Sequence, residues 1–149
     1  MPVLAYSTKA YQTAEAHTAD RNHLVVLLFD SAVRFLHRAQ EAMRRRDYEG
    51  QCADIIRTQK IFSTLMTSLD TSLALQLTGS LRALYNWLHA QLTEASIRDD
   101  LPLLEQVTNI TSNLRNAWRQ AEANCHMEER AATHEAVSSA PGSSSRHAA

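Results

Sequence analysis

Residues 81–95 read LRALYNWLHAQLTEA, with leucines at 81, 84, 88 and 92 and Ala95 closing the row. Steps of three and four residues set these side chains on one face of an α-helix. Tyr85 and Trp87 flank that face, and neither Pro nor Gly interrupts the run. One neighbour cannot cover so wide an apolar side, so the stretch implies several helices around a shared core.

The same period recurs on both sides of it. Leu24, Leu28, Ala32, Phe35, Ala39 and Met43 form the seam of a first helix expected over residues 18–46, flanked by Val25, Leu36 and Ala42. Thr18 or Asp20 offers an N-cap, since a short oxygen-bearing side chain accepts from the unpaired amides of the first turn. Arg44, Arg45 and Arg46 stand against the negative end of the helix dipole. Asp47-Tyr48-Glu49-Gly50 reads as a connection, and Ile55, Thr58, Phe62, Leu65 and Leu69 carry a second helix over residues 51–70, its face widened by Cys52, Ile61 and Met66. Thr71 and Ser72 can cap a third helix from Leu73 to Ile97. Gly79 inside it costs about 1 kcal/mol relative to Ala unless a neighbouring backbone packs there. Asp100 can cap a fourth, whose first turn tolerates Pro102 because no intrahelical N–H bond is lost. Leu104, Val107, Ile110, Leu114, Ala117, Trp118 and Ala121 carry that helix to Glu129.

Short links make consecutive helices antiparallel. The expected fold is therefore all-α, an antiparallel up-down four-helix bundle over residues 18–130. Residues 1–17 lack a period yet hold Val3, Leu4, Tyr6 and Tyr11, and are expected to dock as an N-terminal cap segment. Residues 131–149 turn small and polar, the composition of a disordered C-terminal tail.

Composition narrows the function. A chain of 149 residues supports one domain with a real core. Three Gly and three Pro are too few for a many-stranded protein. Fifteen basic against sixteen acidic side chains give a net charge of −1, which exerts no general pull on nucleic acid or an anionic membrane. No apolar run approaches the roughly 18 residues that span a bilayer, so no membrane insertion is expected. The first residues lack the apolar core of a signal peptide, and Cys52 and Cys125 read as reduced thiols, which together point to the cytosol.

Catalytic and metal constellations are not expected. A di-iron bundle needs Glu-x-x-His pairs on facing helices, and the sequence contains none. Its seven histidines do not cluster at ligand spacing. A phosphotransfer signalling bundle, an alternative reading, uses an exposed helical His followed by Lys-Gly. Here His37 is followed by Arg-Ala-Gln and His89 by Ala-Gln-Leu. Three glycines leave no phosphate-binding loop, and no Ser sits in a nucleophile elbow. The expectation is no enzyme, no cofactor and no metal, with another polypeptide bound in the grooves between helices.

A set of short motifs sharpens this. Ala10-Tyr11-Gln12, Leu27-Leu28-Phe29-Asp30, Gln59-Lys60-Ile61 with Leu65 and Leu69-Asp70, Leu84-Tyr85-Asn86-Trp87, Glu94-Ala95-Ser96 running to Asp100, Val107, and Ala117-Trp118-Arg119-Gln120 follow in order from Lys9 to Gln120. In order and spacing the chain resembles the FliS family, export chaperones of bacterial flagellin. It departs from the family pattern at Asn86 for Asp, Trp87 for Tyr, Ser96 for Asn and Thr58 for Ala. The resemblance implies a cytoplasmic chaperone that binds the C-terminal region of flagellin and prevents premature polymerisation. It also implies presentation to a flagellar export gate component, with room for a co-chaperone or regulator. A bundle-type secretion adaptor with a different client is the nearer alternative. On this reading Tyr6, Tyr11, Tyr85, Trp87, Ile97, Leu101 and Trp118 are the candidate client contacts. The N-terminal tyrosines would lie over a groove until the client arrives, and Ile97 and Leu101 would form its rim.

Overall fold

Few residues in this chain stop a helix, and four long helices result: α1 (Pro2–Arg44), α2 (Tyr48–Ser68), α3 (Leu75–Arg98) and α4 (Leu101–Ser138). The structure is a computed structural model that describes the backbone of residues 2–69 and 75–139 and the side chains of residues 21–69 and 77–139. Among the described residues there is no strand.

Three expected boundaries move. α1 begins at Pro2 instead of at a cap on Thr18 or Asp20, so residues 2–17 continue the first helix. Thr and Asp can cap a helix but do not terminate one, and residues 3–46 contain neither Pro nor Gly. α4 runs nine residues past the expected Glu129 because Ala131, Ala132, Glu135 and Ala136 favour helix without needing burial. α2 begins at Tyr48, since Asp47 already caps it. The expected cap at Thr71 or Ser72 and the start at Leu73 lie outside the described residues.

Two turns close one end of the bundle, and they are built alike. Arg46 and Asp99 have φ of 59° and 49°, the left-handed conformation that ends a helix. The next amide reaches back five residues in each case, Asp47 N–H to the Ala42 carbonyl at 2.8 Å and Asp100 N–H to that of Ala95 at 3.0 Å. That same Asp then caps the following helix. The Asp47 carboxylate accepts from the Gly50 amide at 3.0 Å, and the Asp100 carboxylate from Leu103 at 3.1 Å. A left-handed non-glycine residue costs about 1–2 kcal/mol, offset by a cap of about 1 kcal/mol. Gln51 Nε2 donates to Asp99 Oδ1 at 3.0 Å and ties the two turns together.

Each helix packs on its chain neighbours, α1 also on α4, and among the described residues the backbones of the diagonal pairs α1–α3 and α2–α4 stay apart, so that these pairs meet only through core side chains. This is the up-down arrangement of a square bundle. The core is Phe29, Leu36, Phe62, Leu65, Leu88, Leu92, Leu104 and Val107 with Tyr85 at its middle. Tyr85 is 1% exposed. Its ring stacks on Phe62 of α2 at 6.3 Å and lies tilted against Phe29 of α1 at 6.1 Å. The α1 seam is rotated from the expected one: Val25, Phe29, Ala32, Leu36, Ala39 and Met43 are buried, while Leu24 is 57% exposed and Leu28 and Phe35 sit at the margin. The row one residue along fits the same period equally well, and only packing chooses between them.

Candidate functional site

Polar contacts fix how each helix is turned about its axis. On α4, Thr108 accepts from Gln40 Nε2 at 2.8 Å. Glu105 pairs with Arg44 at 3.3 Å and Arg119 with Asp30 at 2.7 Å. These residues therefore face α1. The adjoining flank of α4 carries Leu103, Val107, Ile110, Leu114 and Trp118, in steps of three and four, and this flank turns toward α3. On α3, Gln59 of α2 donates to the His89 carbonyl at 3.1 Å and to Thr93 Oγ1 at 2.8 Å. The opposite flank carries Leu84, Trp87 and Gln91.

These two flanks border a furrow between α3 and α4, the pair of neighbours that packs least extensively. Leu84, Leu103, Ile110, Leu114 and Trp118 are half-buried against the core. Trp87 stands at the lip, 42% exposed. The Trp118 indole hydrogen-bonds the Tyr85 phenol beneath it, so this wall of the furrow is anchored in the core. Burial pushes the Tyr85 phenol above its ordinary pKa of 10.0, and the bond from Trp118 opposes part of that rise. Among the described residues no cluster of three or more His, Cys, Asp or Glu could hold a metal ion. No helix among them is long and apolar enough to cross a membrane.

The predicted contacts separate on this frame. Trp87 and Trp118 meet at the furrow. Tyr85 lies beneath it as core and presents no surface of its own in this conformation. Ile97 is 73% exposed but lies on the far side of α3 from the buried Leu88, away from the furrow. Leu101 packs half-buried against the core at the start of α4. Tyr6 and Tyr11 fall within α1, and their side chains lie outside the described residues. Sequence reasoning assigned Ile110 and Leu114 to the core seam and did not single out Leu103. The signal was available in their spacing, but a groove wall and a core face share one period.

The fold and the furrow define a helical-bundle protein with an open apolar surface of the kind that takes an amphipathic segment. The sequence model of a family described as Flagellar protein FliS matches residues 4–125. The chain is 29% identical over 112 residues to the flagellar secretion chaperone FliS of Bacillus subtilis, spanning 75% of this chain and 83% of that protein. It is 30% identical over 105 residues to the flagellar secretion chaperone FliS of Escherichia coli, spanning 70% and 77%. Over 121 residues it is 30% identical to that of Campylobacter jejuni, spanning 81% and 93%. The chain belongs to the FliS family of flagellar secretion chaperones.

Proposed function

We propose that this chain is a cytosolic, non-catalytic chaperone that holds the C-terminal region of flagellin in the α3–α4 furrow. Held there, the client cannot polymerise early and is presented to a component of the flagellar export gate. The observation that carries the reading is the half-buried apolar row of α4 facing Trp87, in a chain of the FliS family. An amphipathic client segment would bury its apolar stripe there and leave its polar face in water. The ordering cost of a disordered client limits the net affinity and leaves it releasable. Tyr6 and Tyr11, early in α1, are proposed as further contacts, on the strength of the Ala10-Tyr11-Gln12 motif.

Calorimetric titration with full-length and C-terminally truncated flagellin tests this. The full-length protein is expected to bind and the truncated one not to. Trp87→Ala should weaken binding about tenfold or more, as loss of an aromatic anchor does, with thermal stability nearly unchanged. Equal binding of the truncated flagellin would overturn the proposal.

A further inference from the structure

The opposite side of the bundle carries a second surface, between α1 and α2, with a different chemistry. Phe35 sits half-buried there, and the guanidinium groups of Arg34, Arg38 and Arg57 lie 5.7, 5.9 and 5.8 Å from its ring centroid. The carboxylate among them is Asp54, which pairs with Arg57 at 2.7 Å and Arg38 at 3.5 Å. Its side chain is 6% exposed, so those two pairings use it up. Arg34 donates to the Ser31 hydroxyl at 3.3 Å and has no carboxylate partner among the described residues.

Toward the turn, the surface opens into a hollow of about 440 Å³ lined in part by His37, Arg38, Glu41, Arg45, Asp47 and Asp54. Glu41 is committed to Arg44 at 2.6 Å, and Asp47 to capping α2. No described carboxylate pairs with Arg45. The surface thus holds more guanidinium than carboxylate, and Arg34 and Arg45 are left without a carboxylate partner among the described residues; guanidinium is the group that grips carboxylates bidentately. In the other direction along α1 the surface becomes apolar. Leu24, Leu28 and Phe35 form one row, and Leu24 and Leu27 are 57% and 46% exposed.

We infer that this α1–α2 face is a second docking surface, for an acidic amphipathic helix of a partner protein. The partner's apolar row lies on Leu24, Leu27 and Leu28, and its carboxylates reach Arg34 and Arg45. The apolar row spans about 16 Å from Leu24 to Phe35, three turns of helix. Because the α1–α2 and α3–α4 pairs form opposite sides of the square, both surfaces can be occupied at once. The inference does not depend on what fills the α3–α4 furrow.

Two helical peptides of about 14 residues, roughly 20 Å long, test it against the full-length chain. They share one leucine row and differ in carrying Glu or Gln on its borders. The Glu peptide is expected to bind at least about tenfold tighter and to weaken as salt screens the contact. Its amide shifts should map to residues of α1 and α2 around Phe35. Arg34→Glu and Leu27→Ser should each lower its affinity about tenfold or more with helicity unchanged, whereas Trp87→Ala should not. Arg34→Gln, which adds no new charge, should lie between Arg34→Glu and the parent chain. Equal binding of the two peptides, indifference to Arg34→Glu, or loss through Trp87→Ala would overturn it. So would capture of the chain by phosphatidylserine vesicles without peptide binding, which would make the patch a membrane contact.

Discussion

The two hairpins of this bundle are closed by one kind of turn and differ along their flanks. The α1–α2 and α3–α4 turns share a left-handed last residue, a reach-back amide at 2.8 and 3.0 Å and an aspartate cap at 3.0 and 3.1 Å. Beyond the turn, α1 and α2 close against each other with Asp54 and Thr58 buried between charges and backbone. α3 and α4 pack least and leave an apolar furrow. The turn is a local solution that any helical hairpin can use. What lies along the flank depends on what must cover it, and on the α3–α4 side nothing in the described part of the chain does.

The largest expected effect tests how separate the hairpins are. Tyr85 belongs to α3 but touches Phe29, Phe62 and Trp118, one residue on each other helix. Tyr85→Ala should cost about 3–5 kcal/mol, as truncation of a buried aromatic does, read from the urea unfolding midpoint. Hydrogen exchange should accelerate in both hairpins together. Acceleration confined to α3 and α4 would break the picture of a shared hub and make the hairpins independent units.

Tyr85→Phe keeps the ring and removes the bond to Trp118, a loss of about 1 kcal/mol. It also has a pH signature. The folded phenol titrates above its unfolded value of 10.0 because burial disfavours the phenolate. The unfolded chain therefore loses its proton first, and stability present below pH 10 falls as pH rises through that range toward the folded value. Unfolding midpoints measured from pH 8 to 11 should show this decline in the parent chain and less of it in Tyr85→Phe. An identical slope in both would assign the alkaline loss to other groups.

Asp47→Ala and Asp100→Ala sharpen the likeness of the turns. Each should cost about 1 kcal/mol, and the two costs should agree although the flanks differ. A severalfold larger cost at Asp100 would mean that the furrow side leans on its turn for order that the closed side obtains from packing.

The turn was legible in the sequence where its chemistry is local. Asp100 with Pro102 announced the start of α4 correctly, and the helix type and count followed from period alone. What was not legible lies in questions that period cannot decide. Val25 and Leu36, read as flanking, are buried, while Leu24, read as seam, is exposed, because the two rows are one residue apart on the same helix. Leu114 and Trp118 have the spacing of a core face whether or not a neighbour closes over them. The ends of α1 and α4 were placed short because polar, alanine-rich sequence supports a helix without requiring one, and capping residues were given the force of stop signals. The Arg34–Arg38–Arg57 cluster draws residues of α1 and α2 to one ring across a pairing register that the sequence does not state.

The smallest expected effect sets one glycine from each hairpin against the other. A Cβ built at Gly79 in α3 meets nothing within 4 Å among the described residues. The packing reason that would justify a glycine there is missing, and Gly79→Ala should stabilise the chain by about 0.5–1 kcal/mol through helix propensity and a less flexible unfolded state. At Gly50 in α2 the added carbon runs into the Asp47 carboxylate that caps the same helix. Gly50→Ala must swing that carboxylate aside, so the helix gain is set against a cap of about 1 kcal/mol, and no net stabilisation is expected. Unfolding midpoints of the two variants decide this. A stabilising Gly50→Ala would mean that the cap tolerates displacement and that the likeness of the two turns contributes little. A destabilising Gly79→Ala would mean that a segment of the chain packs on α3 there and covers part of what the furrow side leaves open.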